Sequence, residues 1–297
     1  MKNSTTKYKR MGTGLLFAML WGTGSVAVKF GLLSADALIL ATVRFISTGL
    51  IFGPYYYFMK KERFWPDKSE WKSIFIYGFL SSTVMLGSFF AAMRYSSAGI
   101  SMLFMAVGPL LIALFSFLIL KRKLSRYEVI GMLICFTGLA VASAAALPTA
   151  SIKPIGIVLL IIYILAYALS SVYFANIKLK LSNAVFNIWQ LFIGGILLLP
   201  FCFISGEYHI HKLDANLFLT FAWLIIVLSF ITNQLWLYLI DHDAVSASSW
   251  LYLTPVFGYA YGYFLLGENI TVYAIAGTVM VLIGLFVSKK KSVTADK

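Results

Sequence analysis

Two stretches decide the fold, "GPLLIALFSFLILKRKLSRYEVIG" (108–131) and "TPVFGYAYGYFLLGENITVYAIAG" (254–277). They start 146 residues apart, and sliding one over the other sets Pro109 on Pro255, Leu120 on Leu266, Tyr127 on Tyr273 and Gly131 on Gly277. The same offset, without a gap, sets Gly138 on Gly284, Gly49 on Gly195, Pro54 on Pro200, Ser25 on Ser171 and Ala98 on Ala244. Two apolar sequences share residues cheaply, because their alphabet is small. Prolines and glycines matched at one offset are harder to obtain, since each answers a backbone need rather than hydrophobicity.

The solvent of this repeated unit follows from composition. Of 297 residues, 61% are hydrophobic and 12% charged, with a mean hydropathy of +0.88. Soluble domains carry about 25% charged residues. A soluble fold of this length could not bury so much apolar surface, so the chain belongs to the membrane class. The net charge of +13 raises a nucleic-acid partner, but the cations sit in short segments between apolar runs and no nucleic-acid motif accompanies them. Cys135 and Cys202 each lie within an apolar run and read as buried structural thiols.

A bilayer core of about 30 Å takes about 20 apolar residues as a helix. Ten such runs are present: 11–31, 35–59, 72–94, 96–120, 127–147, 155–177, 183–205, 215–240, 243–267 and 270–288. Very short connections, such as "RYSS" and "GEN", make the joined helices antiparallel neighbours. The expected fold is therefore an all-α integral membrane protein of ten transmembrane helices, in two five-helix repeats, 1–147 and 148–297. An odd number of spans inverts the second repeat relative to the first, the plan of secondary transporters. The basic start and the "SVA" at 25–27 resemble a signal peptide. Because the first run maps onto the sixth (Trp21 on Tyr167), it reads as a retained helix.

Direction comes from Lys and Arg in short loops. Nineteen lie in the two tails and the even-numbered loops, and four (Lys29, Arg94, Lys153, Lys212) lie on the opposite side. That split places both termini in the cytoplasm and supports the span count, since one missed helix would scramble the alternation.

Several motifs carry a family resemblance. "WG" at 21–22, "RF" at 44–45, "AAMRYSSAG" leading to Pro109, and "FLLGENITVYAIAGTVMVLIGL" (264–285) resemble the drug/metabolite transporter superfamily, in particular its EamA-type ten-span branch. The likeness runs along nearly the whole chain. It implies export of amino acids, other metabolites or toxic amphiphiles across a plasma membrane, a bacterial inner membrane, by a multi-pass protein. The family pattern has a glutamate after span four and another after span nine. Glu268 fills the second place and Arg122 the first.

Gly- or Pro-interrupted helices at matching places in two repeats point to a transporter's binding site. Pro109 and Pro255 sit near mid-span and would free the carbonyls of Met105 and Leu251 one turn earlier. An ordinary kink is the competing reading. Around them lie Ser248, Ser249, Trp250 and Tyr252 in span nine and Thr232, Asn233, Gln234 and Trp236 in span eight. Span three offers Gly87 and Ser88, span six Tyr163, Tyr167, Ser170 and Ser171, and span seven Asn187, Trp189 and Gln190. Such groups facing lipid would be costly, so they should face inward. There they either line a cavity or bond helix to helix. The candidate substrate-binding set is Trp21, Arg44, Ser88, Met105, Pro109, Tyr163, Tyr167, Gln190, Asn233, Gln234, Trp250, Tyr252 and Pro255. Spans five and ten, plain hydrocarbon with small residues, read as peripheral, against lipid or a second copy in a homodimer.

"HIH" (209–211), with Glu207 and Asp214 nearby, raises zinc but lacks a further cluster. "DHD" (241–243) reads as a solvated turn. No HExxH, P-loop or GxSxG occurs and no carboxylate pair lies within a span, so neither an enzyme nor a cofactor is expected. The function expected is secondary transport of a small polar or amphiphilic solute, by alternating access. A membrane-embedded enzyme and a receptor or scaffold are the alternatives. Arg44 stands within "ILATVRFIST" (38–47) with no acid near it, roughly 12 Å below the external surface at 1.5 Å per residue. Its repeat mate is Gln190. It either snorkels outward on its long stem or faces the pathway.

Overall fold

In a computed structural model, the structure describes residues 2–60, 63–121, 125–146, 152–242 and 249–288, with their side chains except for those of 2–10, 144–146, 240–242, 249 and 252. These residues form ten helical rods. They are α1 (Lys2–Gly31), α2 (Ala37–Pro54, continuing as π-helix over Tyr55–Lys60), α3 (Lys68–Gly78, π-helix Phe79–Leu86, then Gly87–Ala92), α4 (Ala98–Ala106 and Gly108–Leu120), α5 (Arg126–Ala146), α6 (Pro154–Phe174), α7 (Asn183–Ser205), α8 (Ala215–Ala222, π-helix Trp223–Thr232, then Asn233–His242), α9 (3₁₀ Ser249–Leu253, then Thr254–Leu266) and α10 (Val272–Ser288). Eight of the helices are long and apolar enough to cross a bilayer, and Val272–Ser288 is a shorter apolar helix of 17 residues. Residues 243–248, which would extend α9, lie outside the described residues.

Helix starts follow side-chain caps. Ser97 accepts the N–H of Ile100, Ser182 that of Val185, and Asp214 that of Leu217, while Asp67 and Glu70 form a capping box. Rods α4 and α9 end alike. Lys121 (φ 56°) and Gly267 (φ 65°) are both left-handed, and their N–H groups return to Ser116 and Gly262. Both donors and both acceptors stand 146 residues apart. Glycine is the usual solution at such a position. Lys121 takes the conformation with a side chain, at a cost of about 1–2 kcal/mol, partly offset by its cation at the negative end of the helix dipole.

The packing pairs α2 with α7, α4 with α9 and α5 with α10, while α1 lies against α8 and α9 and α6 against α3 and α4. Glycines set the closest approaches. A Cβ on Gly131 would stand 2.5 Å from the Gly284 carbonyl, and one on Gly277 2.6 Å from the Gly138 carbonyl. Cys135 Sγ lies 3.2 Å from the carbonyl of Val281, its own counterpart at the offset. Gly49 meets Phe192 and Gly195 meets Ile46, again counterparts. The small residues of α5 and α10 are thus engaged with each other, and Leu133, Phe136 and Phe286 point outward. Cys135 and Cys202 are both buried and free.

Pro109 and Pro255 do not kink continuous helices. Each occupies the first turn of a new helical segment, behind Val107 and Leu253. A missing N–H costs little there. The Leu251 carbonyl accepts the Thr254 hydroxyl at 2.6 Å, and the Val107 N–H turns back toward the carbonyls of Met105 and Phe104. The protein itself thus engages the Leu251 carbonyl, whereas the Val107 N–H bonds the Phe104 carbonyl at 3.2 Å.

Candidate functional site

The interior polar groups are organised by two π-helical stretches. Those of α3 and α8 end at Leu86 and Thr232, 146 residues apart. A π-turn inserts a residue into the helix and shifts the side-chain register, a device frequent at functional sites. In α3 it carries Ser82 and Thr83, and in α8 Ser229 and Thr232, all buried.

From these positions one network crosses four rods. Ser82 Oγ donates to Gln190 Oε1 at 2.7 Å. Gln190 Nε2 and Asn233 Nδ2 both donate to Asn187 Oδ1 at 2.9 Å. Asn187 Nδ2 donates to the Ser229 carbonyl at 2.9 Å, and Arg44 Nε donates to Ser229 Oγ at 2.7 Å. Small residues let the backbones approach here, since a Cβ on Gly78 would stand 2.7 Å from the Gln190 carbonyl. Arg44 is only 5% exposed, with its guanidinium carbon 5.4 Å and 5.6 Å from the Phe45 and Phe90 ring centroids. It faces α8 rather than lipid, so the snorkelling alternative does not hold. No acid pairs with it among the described residues.

A second cluster is aromatic. Tyr163 OH lies 2.7 Å from Met105 Sδ, and its ring lies 5.0 Å from Phe89. Tyr167 approaches Trp236 at 6.2 Å; Trp236 stacks on Phe17 at 5.1 Å, and Phe17 reaches Trp21 at 5.6 Å. Gly108 makes room for Tyr167, whose ring a Cβ there would meet at 2.7 Å. Two of the candidates carry sealed polar atoms without a partner among the described residues, Tyr167 OH and Gln234 Nε2. A buried polar group costs stability unless bonded, so the packing bears a cost at these two atoms.

The structure therefore brings Arg44, Gln190 and Asn233 into one network, and Trp21, Met105, Tyr163 and Tyr167 into one aromatic cluster. Ser88 is taken up by its own helix, donating to the carbonyls of Val84 and Met85. Pro109 and Pro255 begin helical segments. Trp250 lies over Gly14 of α1. The side chain of Tyr252, and Arg122, Asp243 and Ser248, lie outside the described residues. Ser82 and Ser229 were missed from sequence, and Asn187, though noted as polar, was left out of the candidate set. One signal was available, because Thr83 and Ser229 stand at the repeat offset. A groove of about 270 Å³ lies elsewhere, lined by Gly53, Tyr57, Phe64, Trp65, Trp189 and Phe192, and carries no side chain of the network.

The loops hold the charges. Asp36 accepts the His209 N–H at 3.0 Å and lies 3.1 Å from His211 Nε2. Both histidines of "HIH" thus serve a carboxylate, and no group of three or more metal-ligating side chains exists among the described residues. Glu207 pairs with Arg94 and accepts the Leu38 N–H. Glu268 accepts the Ala98 N–H at 2.7 Å, so it tethers the start of α4.

Known proteins match this architecture. The profile of the EamA-like transporter family matches residues 10–144 and again 154–289. An uncharacterized transporter of Archaeoglobus fulgidus is 24% identical, covering 94% of this chain and 98% of its own. A probable amino-acid metabolite efflux pump of Salmonella typhimurium is 24% identical, covering 92% of each. The uncharacterized inner membrane transporter YedA of Escherichia coli is 26% identical over 87% of this chain and 84% of its own. A solved crystal structure superposes with a TM-score of 0.66 at 18% identity, covering 95% of this chain and 96% of that one, which shows a shared fold. This multi-pass membrane protein belongs to the EamA-like transporter family.

Proposed function

We propose that the protein is a ten-span secondary transporter built of two inverted five-helix halves, with both termini in the cytoplasm. It moves a small polar or amphiphilic organic solute of the amino-acid kind outward across the plasma membrane by alternating access. The observation that carries the reading is the buried network Arg44–Ser229–Asn187–Gln190–Ser82, with Asn233, because it draws amide, hydroxyl and guanidinium groups from α2 and α3 of one half and α7 and α8 of the other. A solute bound there would touch both halves and register their relative tilt. Tyr163, Tyr167 and Trp236 supply an adjoining apolar floor for an amphiphilic part.

Two further facts support it. Features 146 residues apart recur as pairs: the left-handed caps, the π-segments and the reciprocal glycine contacts. Glycine-to-carbonyl contact between α5 and α10 gives the halves a dry, tight seam about which to rock. The printed name of the Salmonella relative favours amino-acid metabolites and export.

The test is uptake of a labelled amino-acid panel into proteoliposomes holding the purified protein. Saturable flux for at least one member is expected. Absence of saturable flux for every member, in protein that remains monodisperse, would overturn the reading.

A further inference from the structure

We infer that the solute carries a carboxylate and that Arg44, beside the Ser229 hydroxyl, is the group that holds it. The inference rests on the transport reading above and adds the sign of the solute's charge. Its ground is a comparison between two equivalent positions. Residues 44 and 190 stand at the repeat offset, in the paired rods α2 and α7, both buried. Gln190 has a partner at each end of its amide, Ser82 on the oxygen and Asn187 on the nitrogen. Arg44 offers five N–H donors, and the described residues meet the one on Nε, through Ser229.

The four N–H groups on its two terminal nitrogens have no hydrogen-bond partner among the described residues. Arg44 as a whole is only 5% exposed, so these groups are largely withdrawn from solvent with no described acceptor. Phe45 and Phe90 stabilise the cation through their faces but accept nothing from its edge. A buried charge persists when something pairs with it, and no acid among the described residues does so here. The planar fork of two terminal nitrogens matches the two oxygens of a carboxylate. One guanidinium and one hydroxyl suit a monoanion; a phosphomonoester would leave its second charge uncompensated. Asn233, joined to Arg44 through Asn187 and Ser229, then has its amide oxygen to offer a neutral or ammonium part of the same solute.

The experiment uses the full-length purified protein and a fixed panel: the twenty L-amino acids, their carboxamides, and small phosphomonoesters. Thermal unfolding is followed with each compound, and counterflow in proteoliposomes with each labelled amino acid. At least one amino acid should raise the melting temperature, its carboxamide should not, and Arg44→Gln should abolish the shift. The KM for that amino acid should rise by about 30-fold or more, as expected when one member of a buried charge pair is removed. Arg44→Gln copies the residue already tolerated at position 190 and removes an uncompensated charge, so its ligand-free melting temperature should not fall. Arg44→Lys should fall between native and Gln in KM.

Carboxamides or phosphomonoesters that stabilise as well as the acids, or unchanged KM in Arg44→Gln, would overturn the carboxylate and leave transport standing. A drop in ligand-free melting temperature with unaltered selectivity would assign Arg44 a packing role with Phe45 and Phe90, and so overturn it too. Failure of every compound to move at all would overturn both readings together.

Discussion

Asn187 holds three partners at once. It accepts from Gln190 and Asn233 and donates to the Ser229 carbonyl. Truncation to Ala would leave three buried groups unmatched, each worth about 1–3 kcal/mol when orphaned. Asn187→Ala should therefore lower the melting temperature by several degrees, and the solute's KM should rise with it. Ser88→Ala, by contrast, removes only bonds to the residue's own helix. Its flux and stability should stay near native, and a Ser88→Ala variant lacking flux would restore Ser88 to the site. Both serine and asparagine were visible as polar residues within apolar runs. Which of them would join the network was not, because Ser88 follows a π-turn, which shifts side-chain direction without a composition signal.

The pairing of α5 and α10 is decided by backbone approach rather than by side chains. Gly138 and Gly284 each stand within 2.7 Å, measured to a would-be Cβ, of a carbonyl on the opposite rod. Gly138→Val should force the rods apart and cost about 1–3 kcal/mol or more, read as lost monodisperse yield and a lower melting temperature. Val279, on the exposed face of the partner rod α10, should accept Ala with little effect. The charged end of α1–α2 gives a pH prediction. Burial would raise the Asp36 carboxyl, but the His209 N–H, the His211 ring and the more distant Arg94 outweigh it and hold it below its ordinary value. A carboxyl depressed in the folded state stabilises fully above its unfolded value, about 3.9, and that contribution is lost as pH falls through the folded value. The melting-temperature gap between native protein and Asp36→Asn should therefore be open at pH 6 and close as pH drops below about 4.

At the scale of the whole molecule, orientation can be tested with single cysteines. The native thiols, Cys135 and Cys202, are buried, so background labelling should be low. Leu213 and Trp65 are exposed in loops at opposite ends of the rods. With cytoplasmic termini, Leu213→Cys should react with an impermeant maleimide in intact cells, and Trp65→Cys only after permeabilisation. The reverse pattern would invert the topology derived from the 19-to-4 split of cations.

The sequence alone was enough to place the chain in the membrane, because 61% apolar residues have no other solvent that would hold them. It was also enough to expose the 146-residue offset, since Gly and Pro answer local backbone needs that survive in any context. It marked Arg44 as anomalous for the same reason, a charge among apolar neighbours. Tertiary structure alone decided that Arg44 meets Ser229 while its counterpart Gln190 meets Ser82 and Asn187. It decided too that the prolines begin helical segments and that the small residues of α5 and α10 face each other. These outcomes depend on which rod lies beside which, and on the register of two π-turns. Contacts between residues 108 or 185 positions apart leave no trace in local periodicity.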